Sequence, residues 1–322
     1  MTCSVFLTGA SGFIGNALHK TLASKDSFAV LAVSRNQAPR SIGAGCFIQG
    51  DPLDVETDWR SHLDGVDVVI HCASRPHVMD DPQGVLLDDY RKSNVEGTIH
   101  LARQAASAGV RRFIFISSIK VNGEGTTPGR PYRADDVPAP VGAFGIAKLE
   151  TEKALLELAA QSSIEVVIIR PVLVYGPGAR GNFLAMMKWL DRGIPLPFAS
   201  IANSRSLVAI DNLVSLIVTC IDHPAAENQV FLVSDGEDLS TPMLLRRMAR
   251  VLNRSARLVP LGERWLKWLL GMSGKAEIAK RLFGSLQVDI SKTRALLGWA
   301  PVTGVDDALE SAVRYYQEES RK

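Results

Sequence analysis

The stretch 4-SVFLTGASGFIGNAL-18 decides how this chain folds. Its apolar opening, Ser4 to Leu7, reads as a buried strand, and Ile14 onward opens a helical pattern. Between them Gly9, Gly12 and Gly15 recur at every third position. Glycine permits a tight turn and lets backbone come close to a bound group. A helix N-terminus directly behind such a turn offers amides and the positive end of the helix dipole, which suits a pyrophosphate. A glycine triplet alone is weak; a strand before it and a helix after it make a dinucleotide-binding fingerprint.

Outward from this stretch the alternation continues to about residue 170. Strand candidates are 28-FAVLAV-33, 66-VDVVIH-71, 112-RFIFIS-117 and 165-EVVIIR-170. Helical stretches lie between them, 14-IGNALHKTLAS-24, 94-NVEGTIHLARQAASAG-109 and 147-AKLETEKALLELAAQ-161. Uninterrupted apolar strands separated by helices imply a parallel sheet covered on both faces. Right-handed crossovers make it a doubly wound α/β sheet. Beyond 170 the pattern loosens at 175-YGPGARGN-182 and 195-PLPF-198. The run 213-LVSLIVTCI-221 is far shorter than the ~20 residues of a membrane span and reads as a buried helix. The tail is mostly helical, with a basic amphipathic piece over 263–282. The expected organisation is a dinucleotide-binding domain over 1–171 and a smaller C-terminal substrate domain over 172–322. Segments about 205–222 and 289–299 are expected to return to the large domain.

Among the 322 residues, 36 Lys and Arg face 34 Asp and Glu, a net charge of +2. That balance argues against nucleic acid or an anionic membrane surface as partner. Cys3, Cys46, Cys72 and Cys220 are scattered, which excludes the usual zinc spacings and a disulfide framework. Reduced thiols, no visible signal peptide and no metal site suit a cytoplasmic protein.

Cofactor choice is read at the end of the second strand. An acidic residue there would bind the adenosine ribose and favour NAD(H). This chain has Ser34 and Arg35, which could hold a 2′-phosphate, so the expectation leans to NADP(H) with NAD(H) open. Further on, in 50-GDPLD-54, Asp51 could accept the adenine amino group or simply form the turn before Pro52.

Together, 8-TGASGFIG-15, 70-IHCAS-74, 94-NVEGT-98, 117-SSIKVNG-123, 144-FGIAK-148, 170-RPVLVYGPG-178 and 289-DISKTRALLGW-299 resemble the extended short-chain dehydrogenase/reductase family. The resemblance covers nearly the whole chain and implies a Rossmann-type fold. It implies that Ser118, Lys148 and Asn94 are catalytic, with Phe144 where the family has a tyrosine. It further implies that the cofactor lies along Gly9, Gly12, Phe13, Ile14 and Gly15. Ser34, Arg35, Asp51 and Pro52 would take its adenosine end; Cys72, Ala73, Ser74, Lys148, Pro171 and Val172 would line the rest.

The chemistry explains those residue types. Interconverting a ketone and an alcohol moves a proton at oxygen. A phenol of pKa ~10 does this poorly near neutrality, but an adjacent ammonium stabilises the phenolate and lowers that pKa. Ser118 would hydrogen-bond the developing alkoxide. Phe144 keeps the ring and lacks the oxygen, so the chain reads as an inactive tyrosine-to-phenylalanine variant.

The second half resembles enzymes of nucleotide-diphosphate sugars. By that resemblance Asn182 contacts the diphosphate, Pro197 and Phe198 bracket the uracil, and Arg205 and Arg281 clamp phosphate oxygens. His77 and Val78 would lie over the sugar, and Lys120 would contact it. The stretch 117-SSIKVNGEGTTPGRPY-132 is similar to bacterial reductases of UDP-4-keto-6-deoxy-N-acetylhexosamines, which make UDP-N-acetylquinovosamine or UDP-N-acetylfucosamine for lipopolysaccharide O-antigen. A 4-ketoreductase is therefore the leading expectation. The alternatives are a UDP-hexose or UDP-N-acetylhexosamine 4-epimerase and a non-catalytic nucleotide-binding relative. A homodimer is expected through helices at about 86–108 and 146–161, forming a four-helix bundle.

Overall fold

The computed structural model describes residues 2–35, 47–75, 85–261 and 283–320. The apolar runs form a seven-stranded, wholly parallel sheet. Its strands are β1 (Cys3–Thr8), β2 (Phe28–Ser34), β3 (Phe47–Gln49), β4 (Val68–His71), β5 (Arg112–Ile116), β6 (Glu165–Pro171) and, later in the chain, β9 (Gln229–Val233). Their spatial order is β3-β2-β1-β4-β5-β6-β9. The doubly wound α/β expectation holds.

Because the order reverses between β1 and β4, a crevice opens at their C-terminal ends. All four residues of β4 and all five of β5 are buried, as continuous apolar strands must be when both faces are covered. The helix read from 94 to 109 is built in pieces. An α-turn, α3 (Val85–Tyr90), runs into a π-helical stretch (Arg91–Glu96) and then α4 (Gly97–Ser107). Thr98, Leu101, Ala102 and Ala105 make the buried stripe of α4 at helical spacing. Gly97 is required there: a Cβ would come within 2.2 Å of the Leu53 carbonyl oxygen.

After β6 the chain builds a second, three-stranded sheet, β10-β8-β7, from Asp238–Leu239, Arg205–Ala209 and Leu173–Tyr175. A second apolar cluster packs beside it, including Phe183, Met187, Leu245 and Leu309. The 213–221 run lies in α7 (Ile210–Asp222), which packs on α1 (Phe13–Ala23). Arg112, 1% exposed, fastens its C-terminal end: Nη1 donates to the carbonyls of Cys220 at 2.6 Å, Ile221 at 2.9 Å and His223 at 3.1 Å. These helix-end carbonyls have no partner within the helix, and a cation complements the negative dipole end. The 263–282 piece lies outside the described residues. No helix among the described residues is long and apolar enough to cross a membrane.

Candidate active site

The glycine loop sits at the switch point. Gly9 has φ +70, and a Cβ there would stand 2.7 Å from the Ala73 amide and 2.8 Å from the Cys72 carbonyl carbon. A Cβ on Gly15 would stand 2.2 Å from the Gly9 carbonyl oxygen. Loop, α1 and the end of β4 therefore pack backbone to backbone, with Gly12 at the N-cap of α1 and no side chain capping that end. Phe13, Ile14 and Gly15 form its first turn. This uncapped, side-chain-free cradle fits a pyrophosphate.

A buried imidazole, absent from the sequence reasoning, braces the cradle. His71 ends β4 with Thr8 Oγ1 2.9 Å from Nδ1 and Thr98 Oγ1 3.0 Å from Nε2. The Ala73 amide donates to Thr8 Oγ1 at 3.2 Å. Burial, reinforced by the Lys148 charge, pushes the His71 pKa down to about 3, so the ring is neutral. Its signal was a lone histidine closing a strand too buried to hold a charge.

At the adenosine end, Ser34 is 3% exposed and its Oγ lies 2.6 Å from Ser11 Oγ, so this hydroxyl is engaged within the loop. Arg35 is exposed. Asp51 Oδ1 accepts the Leu53 amide at 3.1 Å, a turn-forming bond before and across the buried Pro52. Cys72, Ala73 and Ser74 follow β4, while Pro171 and the buried Val172 lie at the end of β6, all at the C-terminal ends of the parallel strands.

The residues implied as catalytic converge on that end of the sheet. Ser118 follows β5, half-buried, and accepts the Lys120 amide at 3.3 Å. Phe144 and Lys148 are one turn apart on α5 (Ala143–Gln161). Gly145 lets that first turn lie against the segment after Ser118, since a Cβ would stand 2.9 Å from the Lys120 carbonyl oxygen. Lys148 is 3% exposed. Its Nζ donates to the Ile116 carbonyl at 3.0 Å and stands 4.4 Å from the Phe115 ring centre and 5.8 Å from that of Phe144. Burial draws its pKa from 10.5 to about 8, with Glu152 pulling the other way. Asn94 lies in the π-helical stretch, 2% exposed. Its Oδ1 accepts the Arg75 amide at 2.7 Å, and its carbonyl accepts Thr151 Oγ1 at 3.3 Å. Tyr90, 1% exposed, packs its ring edge-on against Phe144 with centroids 5.8 Å apart.

A second buried group also escaped sequence reasoning. Glu152, one turn beyond Lys148, takes a bidentate contact from Arg170, Nε to Oε1 at 3.0 Å and Nη2 to Oε2 at 2.5 Å. Ser117 donates to the same Oε1, and Arg170 Nη1 donates to Asn122 Oδ1 at 3.0 Å.

The residues expected on the sugar side are more dispersed. Lys120 is ion-paired with Glu124. Asn182 is the exposed first residue of α6 (Asn182–Asp191). Pro197 is half-buried, but Phe198 is 6% exposed and belongs to the second apolar cluster, so most of its ring faces protein. Arg205 opens β8, and its Nη1 donates to the Gly284 carbonyl at 2.9 Å. His77, Val78 and Arg281 lie outside the described residues. Among the described residues no cluster of three or more His, Cys, Asp or Glu could hold a metal ion.

The NAD dependent epimerase/dehydratase family matches the chain over residues 5–234. The chain belongs to this family. A Vibrio cholerae relative named UDP-glucose 4-epimerase is 48% identical over 318 residues, covering 98% of this chain and 96% of that protein. The crystal structure of UDP-glucuronic acid 4-epimerase from Bacillus cereus in complex with NAD shares the fold, with a TM-score of 0.80 at 23% identity, covering 98% of this chain and 99% of that one. A tyrosine-to-phenylalanine mutant of that epimerase, in complex with UDP-4-deoxy-4-fluoro-glucuronic acid and NAD, gives a TM-score of 0.78 at 24% identity over 98% and 99% of the two chains.

Proposed function

We propose that this chain binds NAD and a UDP-sugar and acts at C4 of the sugar as an epimerase, with Phe144 holding its turnover low. The observation that carries the reading is the near full-length, 48% identity to a protein named UDP-glucose 4-epimerase. Epimerisation, the alternative in the sequence reading, replaces 4-ketoreduction, for which the named relatives offer no support. The lean to NADP(H) is dropped for NAD: the Ser34 hydroxyl is engaged by Ser11, and the structural relatives are NAD complexes.

When bound, NAD supplies reversible oxidation and reduction at the sugar carbon. The chain's own residues then do the following. The glycine loop and α1 hold the pyrophosphate of NAD. Lys148 keeps a positive charge beside the nicotinamide end, and Ser118 hydrogen-bonds the C4 oxygen. Asn182 and Arg205 meet the diphosphate of the UDP-sugar. At position 144 the ring fills its space, but no oxygen is there to carry the C4 proton.

The same reading divides the chain into a dinucleotide-binding domain over 1–171 and a sugar-nucleotide domain over 172–322, works in the cytoplasm, and pairs two copies through the 86–108 and 146–161 helices. Sedimentation as a monomer at micromolar concentration would remove the pairing.

The test of function is conversion of UDP-glucose to UDP-galactose, and of the N-acetylhexosamine pair, by the native chain and by Phe144→Tyr. A missing general acid–base group costs ~10²–10⁴-fold, so the tyrosine variant should run that much faster. Equal rates would show that another group moves the proton. No conversion by either protein would sink the epimerase reading.

A further inference from the structure

We infer that Phe115 is a positioning residue: the face of its ring seats the Lys148 ammonium in the site and leaves two of its N–H groups for a bound ligand. Lys148 Nζ stands 4.4 Å from the centre of that ring, inside the ~6 Å over which a cation is drawn to a ring face. The Phe144 ring lies farther off, at 5.8 Å. The carbonyl of Ile116, the next residue along β5, accepts one N–H at 3.0 Å, and an ammonium has three donors. Among the described residues no second acceptor reaches Nζ. A side chain only 3% exposed thus carries its charge on one carbonyl and the aromatic faces.

The ring is itself held in place. Phe115 is 1% exposed and lies opposite His71 in the parallel register of β4 and β5. The imidazole stacks on it with centroids 6.1 Å apart and planes 21° from parallel, and Thr8 and Thr98 grip that imidazole in turn. One line of contacts therefore runs from the glycine cradle through His71 and Phe115 to Lys148.

The other groups of the neighbouring elements are uncharged or committed elsewhere. From β4, burial keeps the His71 imidazole neutral and pushes the Cys72 thiol up to about 12. From α5 and β6, the Glu152 carboxylate and the Arg170 guanidinium spend their charges on each other. After β5, Ser117 donates to Glu152, Ser118 accepts the Lys120 amide, and Lys120 is paired with Glu124. From α3, Tyr90 lies against the Phe144 ring. A charge taken out of water needs compensation. A ring face supplies it without fixing any one N–H, whereas a bonded carboxylate would consume a donor. The inference rests on the reading that places Lys148 beside the nicotinamide end of the cofactor, and it is independent of which sugar is bound.

The experiment follows Lys148 itself. The full chain is labelled with ¹³Cε-lysine, the Lys148 signal is assigned by its loss in Lys148→Arg, and its midpoint is measured by NMR titration. Phe115 is then replaced site-specifically by mono-, di- and trifluorinated phenylalanine, which nearly keep the ring's shape and drain the negative charge from its face. The native midpoint should lie near 8 and should fall with each added fluorine. In Phe115→Leu, which removes the face, it should drop by about one pH unit. A ring that merely fills space in the core would leave the fluorinated series flat. A flat series in protein whose circular dichroism matches the native one overturns the inference, even if Phe115→Leu does not fold. A midpoint that falls along the series in a protein converting no UDP-sugar would count against the proposed function and leave the role of Phe115 standing.

Discussion

Acidification should weaken this protein through His71 in a way that one substitution can isolate. The imidazole sits between Thr8 and Thr98 with its pKa down at about 3, against 6.5 in the unfolded chain. Below 6.5 the unfolded chain takes up a proton that the folded one refuses. Stability is therefore complete above 6.5 and is lost as pH falls toward 3. Each pH unit within that window is worth ~1.4 kcal/mol, so His71 alone should remove about 2 kcal/mol between pH 7 and pH 5. That is a substantial part of a typical folding free energy of 5–15 kcal/mol.

The assay is urea unfolding of the native chain and His71→Gln at both pH values. Glutamine offers one donor end and one acceptor end to the two threonines but does not titrate. Carboxylates titrate in both proteins and cancel in the comparison. The variant should start less stable, having lost the stacking on Phe115 at 6.1 Å. Between pH 7 and 5 it should then lose about 2 kcal/mol less than the native chain. Equal losses would mean that His71 accepts a proton in the folded state and that the neutral Thr8–His71–Thr98 bridge is wrong.

Two further outcomes test the halves of the site. Gly9→Ala forces a side chain into a backbone with φ +70, 2.7 Å from the Ala73 amide, so NAD binding in calorimetry should fall by at least ten-fold and the melting temperature should drop; unchanged NAD affinity would remove the cradle from the cofactor site. Arg205→Ala should weaken UDP-sugar binding by ~2–3 kcal/mol, the worth of a charged hydrogen-bonding partner, with NAD affinity unchanged. UDP-sugar affinity equal to native would remove Arg205 from the diphosphate site.

What the sequence determined by itself was everything carried by local pattern. Strands β1, β2, β4, β5 and β6 were readable because a strand buried on both faces must be apolar throughout. The glycine loop was readable because a turn with φ +70 and backbone contact tolerates little else. The register of Ser118, Phe144, Lys148 and Asn94 followed from spacing and family resemblance.

Tertiary structure decided what depends on which distant segments meet. Strand β9 looks like any short apolar run until it pairs with β6. Arginine and glutamate in a sequence read as solvated, so Arg112 under the end of α7 and the Arg170–Glu152 pair came to light only once their partners, 18 to 111 residues away, were in place. Phe198 reads as an aromatic platform in 195-PLPF-198, yet packing turned it into the second apolar cluster. The charge on Lys148 belongs to this second kind of fact: burial lowers its pKa and Glu152 raises it, and both act only in the folded chain.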